Sequence, residues 1–271
     1  MVKKTAFEVL SLGAGVQSSC LALMAARGEV DPMPKCAVFS DTGAEPEKVY
    51  DYLSWLTDEL PFPVHVVQHK SGLTANMEDA INNDVRMAQP PLFTKNPDGS
   101  HGQIPRVCTV EYKINPIRKL TRKLLGLKPR QRHKDEHCIQ WIGISLDEIQ
   151  RMRESTVPYI TNRFTLVEKR MRRGDCFEWM KRNGYPEPPR SACVYCPYHS
   201  DHEWRRIKKT DPEGWKEAVR VDELVRDGWK NMDSKMYLHA ARIPLKDVDL
   251  SSDVDRGQLT MLDECTGMCG N

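Results

Sequence analysis

The stretch Glu8–Ala22, E-V-L-S-L-G-A-G-V-Q-S-S-C-L-A, decides how the rest of the chain is read. Phe7 to Leu12 is an apolar run of strand length, Gly13 and Gly15 interrupt it, and apolar residues then return at helical spacing. The two glycines predict a tight turn whose backbone approaches an anion closely. Ser18 and Ser19 open the helix, and free N–H groups at such a start, with the positive end of the helix dipole, suit a phosphate or sulfate group. Two common phosphate-binding patterns do not fit. No lysine follows the glycines, as G-x-x-x-x-G-K-[ST] requires, and Ser18 stands where the third glycine of G-x-G-x-x-G belongs. An ordinary strand-to-helix turn is the plain alternative.

Lys35 to Ser40 reads as a second buried strand, with Asp41-Thr42-Gly43-Ala44-Glu45-Pro46 directly after it and ahead of an amphipathic helix. Ligands of open parallel sheets bind at the carboxyl ends of the strands, so a glycine loop and an acidic loop would line one crevice. Asp41 is the acid best placed there to meet a metal, a ribose or a nucleophile; a loop cap is its plain reading. Strands near 7–12, 36–40, 63–68 and 138–144 alternate with helices near 16–27, 45–60, 73–83 and 111–125. The alternation predicts an α/β domain over residues 1–155, a Rossmann-like parallel sheet flanked by helices with right-handed crossovers. Residues 156–271 are expected to form a smaller helical, cysteine-bearing C-terminal region. Helices near 146–155, 175–183, 200–209 and 212–228 build it, with Trp179, Trp204, Trp215 and Trp229 as its core. Residues 86–107, rich in proline, read as a long loop over the site.

Four blocks carry a resemblance over most of residues 7–155: Ser11 to Ser19; Phe39 to Glu45, as F-x-D-T-G-x-E; Arg106-Val107-Cys108-Thr109 with Lys113 and Pro116-Ile117, as C-T-x-x-x-K-x-x-P-[LI]; and Trp141 to Arg153, as W-x-G-x-R-x-x-E-x-x-R. In these the chain resembles the PP-loop superfamily of adenine-nucleotide alpha hydrolases, and within it the phosphoadenosine phosphosulfate reductase group. The resemblance implies a PP-loop (HUP-type) fold. It also implies a nucleotide site drawn from Ser11, Gly13, Gly15, Gln17, Ser18, Ser19, Asp41, Thr42, Gly43, Lys113, Gly143 and Arg151. Two positions depart from the pattern. Ser145 stands where a second arginine is expected, and Gln17 stands where ATP-cleaving members, with S-G-G-x-D-S, carry aspartate. A carboxylate supplies Mg²⁺ with a hard oxygen ligand and an amide does so poorly. Sulfonucleotide reductases resemble this chain in having glutamine there, which tilts the ligand toward a sulfonucleotide such as phosphoadenosine phosphosulfate or a similar adenylyl ligand, with ATP and an accompanying Mg²⁺ kept open.

Nine cysteines, an odd number, argue against a complete disulfide framework. With no secretory h-region and no apolar run of bilayer length, a reducing, cytoplasmic setting and no membrane are expected. Cys193-Val194-Tyr195-Cys196-Pro197 is the one close pair, in a turn-rich segment that suits a metal knuckle. Cys108 and Cys176 could complete four thiolates, a donor set for Fe–S or Zn²⁺. Resemblance to iron–sulfur-dependent PP-loop enzymes implies a [4Fe–4S] cluster. The zinc alternative uses Cys176, Cys193 and Cys196 with His199 or His202 in a structural site, and four unrelated thiols are the plain reading. Cys20, Cys36 and Cys138 read as packing residues. The chain ends D-E-C-T-G-M-C-G-N, where Glu264-Cys265 loosely resembles the nucleophile segment of sulfonucleotide reductases. A Cys265 thiolate would attack the sulfur of a bound sulfonucleotide and be released by a thiol reductant or by Cys269.

Lys and Arg total 40 against 38 Asp and Glu, a formal net charge of +2, which excludes a global attraction for polyanions. Basic runs at 128–134, 168–173 and 205–209 would instead form a local rim for the phosphates of a nucleotide or a polynucleotide, or else solvated helix faces. Arg106, Lys113, Arg151 and Arg153 are the candidate anion contacts. Three functions follow. The first is sulfonucleotide-directed sulfur chemistry with an iron–sulfur centre. The second is ATP-dependent adenylylation of a tRNA or DNA base for thiolation, with a sulfur donor as partner. The third is a non-catalytic, zinc-stabilised nucleic-acid-binding module. The oligomeric state is left open.

Overall fold

The computed structural model describes residues 6–83, 85–128, 131, 137–228 and 232–252. In chain order the elements are β1 (Phe7–Leu12), α1 (Val16–Ala26), β2 (Cys36–Asp41), α2 (Glu47–Glu59), β3 (Val64–Gln68), α3 (Gly72–Asn83), β4 (Phe93–Lys95) and β5 (His101–Gln103). A π-helical turn (Val110–Ile114) leads into α4 (Asn115–Leu124). After β6 (Cys138–Ile142) come a 3₁₀ turn (Leu146–Arg151), β7 (Ile160–Arg163), α5 (Thr165–Glu168), α6 (Arg173–Arg182), α7 (Asp201–Thr210), α8 (Pro212–Leu224) and β8 (Lys235–Tyr237).

The chain divides into two compact units, and the division does not fall at residue 155. Met1–Asp41, Glu47–His69 and Tyr112–Ser191 form the first, and Thr42–Pro46, Lys70–Glu111 and Ala192–Asn271 the second. β7 adds a strand to the sheet and α6 packs on α1, so residues 156–191 belong to the first unit.

That unit is a five-stranded, all-parallel sheet of order β3-β2-β1-β6-β7, an α/β Rossmann-like architecture. Alternation along the strands sends side chains to two faces. Leu10, Leu12, Ala37 and Phe39 join α1, α2 and α6 on one face, while Val9, Cys36, Val38 and Cys138 meet Ile117 of α4 on the other. α1 is enclosed on every side, from Val16 to Ala25, because its run of small and apolar residues lies between the sheet and α6. Trp179 therefore belongs to this core and not to a C-terminal one. The expected helix over 146–155 is only the short 3₁₀ turn: Glu148 has non-helical dihedrals and Met152 is extended.

Glu8 is buried in β1, where its Oε2 accepts the Trp141 Nε1–H at 2.5 Å. Burial raises its pKa, and the Trp141 hydrogen bond and the charge of Arg163 only partly oppose this. A carboxyl raised in the folded state contributes stability at low pH that is lost as pH rises through the folded pKa. Glu8→Gln keeps an acceptor for Trp141 and removes the buried charge. Thermal melts should show a gain at pH 7 of roughly 2–4 °C, the shift that about 1 kcal/mol gives at this size, vanishing toward pH 4.

The second unit holds a three-stranded antiparallel sheet of order β5-β4-β8. Within residues 86–107 an Asn96–Ser100 turn, with Gly99 at φ +81°, closes the β4–β5 hairpin. Its third strand comes from far along the chain. Asp222 of α8 is buried and accepts the N–H groups of Leu238 at 2.8 Å and Leu245 at 2.9 Å, fixing the segment around β8. Trp204 and Trp215 meet edge to face at 6.3 Å, joining α7 to α8. Trp229 lies outside the described residues. Among the described residues no helix is long and apolar enough to cross a membrane.

Candidate functional site

The chain leaves β1 on one side of the sheet and returns through β6 on the other, so the strand order reverses between these neighbours. In open α/β sheets such a reversal opens a crevice at the carboxyl ends of the strands. The β1–α1 turn lies there. Its tight bend is made by Ala14, at φ +55°, and not by either glycine. A non-glycine residue in that region costs about 1–2 kcal/mol, a local strain of the kind that marks functional turns. Gly13 and Gly15 serve another purpose. A Cβ would meet Ser18 Oγ at 3.7 Å in one case and Ser191 Cβ at 3.5 Å in the other, ordinary contacts, so neither fold nor packing forbids a side chain. What the missing side chains leave is bare backbone at the turn.

Ser18 latches the turn: its Oγ accepts the Gly13 N–H at 3.1 Å and donates to Gly15 O at 3.2 Å. The Ser19 N–H closes the first α-helical bond on Gly15 O. The amides of Val16, Gln17 and Ser18 precede any intrahelical acceptor, and Gly15, the N-cap, offers them no side chain. Gly143, which follows β6, packs against this start so closely that a Cβ there would lie 2.8 Å from Ser18 N and 3.0 Å from Ser18 Cα. The Ser19 side chain is fully buried beside Tyr52. Ser11 lies in β1, paired with Val38 and Ile142.

Gln17 is tied into the segment after β6. Its Nε2 donates to Glu148 Oε2 at 3.0 Å and lies 3.5 Å from Ser145 Oγ, and Arg173 Nη1 approaches its Oε1 at 3.5 Å. Glu148 in turn holds Arg151 at 2.6 Å. Ser145 is fully buried, so this position has room for a hydroxyl and not for the arginine of the motif. Arg153 clasps the carbonyls of Gln150 and Met152.

Asp41 ends β2, beside β1. Its Oδ1 accepts Tyr50 Oη–H at 2.8 Å and its Oδ2 accepts Gln68 Nε2–H at 3.2 Å, which orients the carboxylate. Lys113 is brought to the same strand end through its neighbour, because Ser40 Oγ donates to Tyr112 O at 2.6 Å. Sequence reasoning missed Tyr50, Gln68 and Glu148, and read Arg173 only as part of a basic run. Glu148 lay inside a recognised motif, and the others are set by tertiary packing.

Thr42, Gly43, Arg106, Cys108, Cys193 and Cys196 lie in the second unit. Gly43, at φ +71°, occupies a conformation that favours glycine, and Thr42 Oγ1 meets Cys193 Sγ at 3.3 Å while Val194 N–H donates to Ala44 O at 2.8 Å. The D-T-G-A-E segment is thereby stitched to the C-x-x-C turn, whose own Cys196 N–H donates to Cys193 O at 3.0 Å. The His199 ring supports that turn, with Nε2 at 2.9 Å from Cys193 O and an edge-to-face contact with Trp204. Arg106 is engaged by Thr109 at 2.6 Å and lies over Tyr198.

Of the four expected thiolates, Cys176 lies in the first unit and Cys108, Cys193 and Cys196 lie in the second. Cys176 is fully buried in the first unit, where α6 packs on α1. It hydrogen-bonds Cys20, and that bond and burial push the Cys20 thiol pKa up, so Cys176 is a packing residue. Among the described residues no three His, Cys, Asp or Glu side chains are grouped to hold a metal. Cys108, Cys193 and Cys196 are half-buried thiols. Cys265, Cys269 and most of the basic run 128–134 lie outside the described residues.

The strand order, the turn after β1 and the glycine packed on it from β6 together define the architecture. The fold is an α/β Rossmann-like parallel sheet. No family model matches the chain, and no curated protein matches it. Among solved structures, phosphoadenylyl-sulfate (PAPS) reductase from Candida auris, in a phosphate complex, is similar at 12% identity with a TM-score of 0.44, covering 68% of this chain and 76% of that one.

Proposed function

We propose that this chain is a PP-loop enzyme that binds an adenylyl nucleotide, with an anionic group of the nucleotide on the amides of Val16, Gln17 and Ser18. The observation that carries the reading is the β1–α1 turn at the sheet's reversal point: a strained Ala14, two glycines without a packing requirement, and a helix start with no side-chain cap. Gln17 supports a sulfonucleotide over ATP. Its amide is already committed to Glu148, so the loop offers no carboxylate to Mg²⁺. Asp41, oriented by Tyr50 and Gln68 at the end of the neighbouring strand β2, serves the ribose or the nucleophile.

The reaction is sulfur-directed. A cysteine thiolate, Cys265 by its motif, attacks the sulfur of phosphoadenosine phosphosulfate; the new S–S bond forms as the bond from sulfur to the phosphate oxygen breaks, and adenosine 3′,5′-bisphosphate leaves. A second thiol, from Cys269 or a dithiol reductant, then attacks the cysteine sulfur, giving a disulfide and releasing sulfite. No step here is assigned to a metal centre. Incubation with phosphoadenosine phosphosulfate and a dithiol should give sulfite and adenosine 3′,5′-bisphosphate in equal amounts, and Cys265→Ser should give neither. Pyrophosphate and AMP from ATP, with phosphoadenosine phosphosulfate left intact, would replace this reaction by base adenylylation.

A further inference from the structure

The site has an acidic neighbour, Glu148, and a missing cation, since the buried Ser145 takes the place of an arginine. Arg151 does not fill the gap, because Glu148 neutralises it at 2.6 Å. The basic run Glu168–Arg173, which the nucleotide fold alone does not use, is fastened to the same place by two bonds. Leu146 N–H donates to Met171 O at 2.8 Å, and Arg173 N–H donates to Asp147 Oδ1 at 3.1 Å. These bonds set the first residue of α6 against the segment after β6. The Arg173 guanidinium reaches Gln17 Oε1, on the first turn of α1, and lies over the Phe177 ring at 5.4 Å. Among the described residues no carboxylate forms an ion pair with that guanidinium, although Asp147 accepts from its backbone.

We infer that Arg173 is the anion-contacting cation of this site, acting from α6 in place of the arginine absent at 145, and that it selects nucleotides bearing a phosphate or sulfate beyond the first phosphate. Guanidinium geometry suits either group, since both present paired oxygens to its N–H fork. The long contact to Gln17 holds the side chain near the turn without satisfying it, leaving donors for the ligand. This inference rests on the nucleotide-binding reading above and adds a specificity residue to it.

The test compares wild type, Arg173→Ala and Arg173→Gln in equilibrium titrations with phosphoadenosine phosphosulfate, ATP and adenosine, with thermal melts of each protein. Arg173→Gln keeps a donor for Gln17 without the charge. Both variants should melt like wild type, bind the two charged nucleotides about 10- to 100-fold more weakly, as loss of a charge-assisted bidentate contact gives, and bind adenosine unchanged. Unchanged affinity for the charged nucleotides in the variants overturns the role of Arg173 and leaves the nucleotide reading standing. Equal loss for adenosine also overturns it, making Arg173 a support for Gln17. Failure of wild type to bind any of the three ligands overturns both.

Discussion

Gly143→Ala is expected to weaken phosphoadenosine phosphosulfate or ATP binding by at least about 100-fold, a loss of roughly 2.7 kcal/mol, and to lower stability by about 1–3 kcal/mol through overpacking. The added methyl carbon would fall 2.8 Å from Ser18 N, 3.0 Å from Ser18 Cα and 3.2 Å from Gln17 C. All three atoms are backbone, so no side chain can swing aside. The start of α1 must move, and the three amides proposed to hold the anion move with it. Gly13→Ala is the control. Its Cβ would stand 3.7 Å from Ser18 Oγ, so stability should change by less than about 0.5 kcal/mol. Any loss of nucleotide affinity there reports ligand space alone. Titration and denaturant melts of the two variants separate the effects.

Gln17→Asp should destabilise the protein at neutral pH by about 2–3 kcal/mol, because the shorter side chain loses the Glu148 hydrogen bond, sets a second carboxylate near it and draws back from Arg173. Gln17 is 8% exposed and donates to Glu148, which already carries the Arg151 ion pair. A carboxylate at 17 replaces that donor with a second negative charge, and two such groups cannot both ionise cheaply. The pair's folded pKa values rise, so the lost stability returns as pH falls toward 4. Gln17→Asp/Glu148→Gln should restore most of it at pH 7. Melts of the single and double variants at pH 4 and pH 7 check the cycle; an unperturbed single variant would mean that Gln17 and Glu148 are not coupled. The coupling also gives a physical reason for glutamine in the loop: its partner after β6 is an acid.

The local parts of this account were legible in the sequence, and the long-range parts were not. The apolar runs and the glycine break located β1 and α1 because strand and helix periods are local properties. The bend itself fell on Ala14, since which residue of the turn takes a positive φ depends on where Ser18 closes its two bonds. Gly143 was flagged by its motif, but its contact with Ser18 joins distant parts of the chain. Cys176 looked like a ligand because it precedes a C-x-x-C turn, and α6 packing on α1 buried it beside Cys20 instead. Likewise β4 and β5 are three residues each and become a sheet edge partly through β8, a partner that no nearby residue announces. Arg173 sat in a basic run that read equally well as a solvated face, until the bonds to Met171 O and Asp147 fixed it near Gln17.

The central claim is that an adenylyl nucleotide is held through its anionic groups by the backbone between β1 and α1. A backbone-amide NMR titration of the wild-type chain with phosphoadenosine phosphosulfate, repeated with ATP, tests it most directly. Saturable shifts led by Val16, Gln17 and Ser18, with Gly143 following and both lost in Gly143→Ala, are the predicted result. Saturable binding that leaves those amides unmoved, or no binding of either nucleotide, would contradict it.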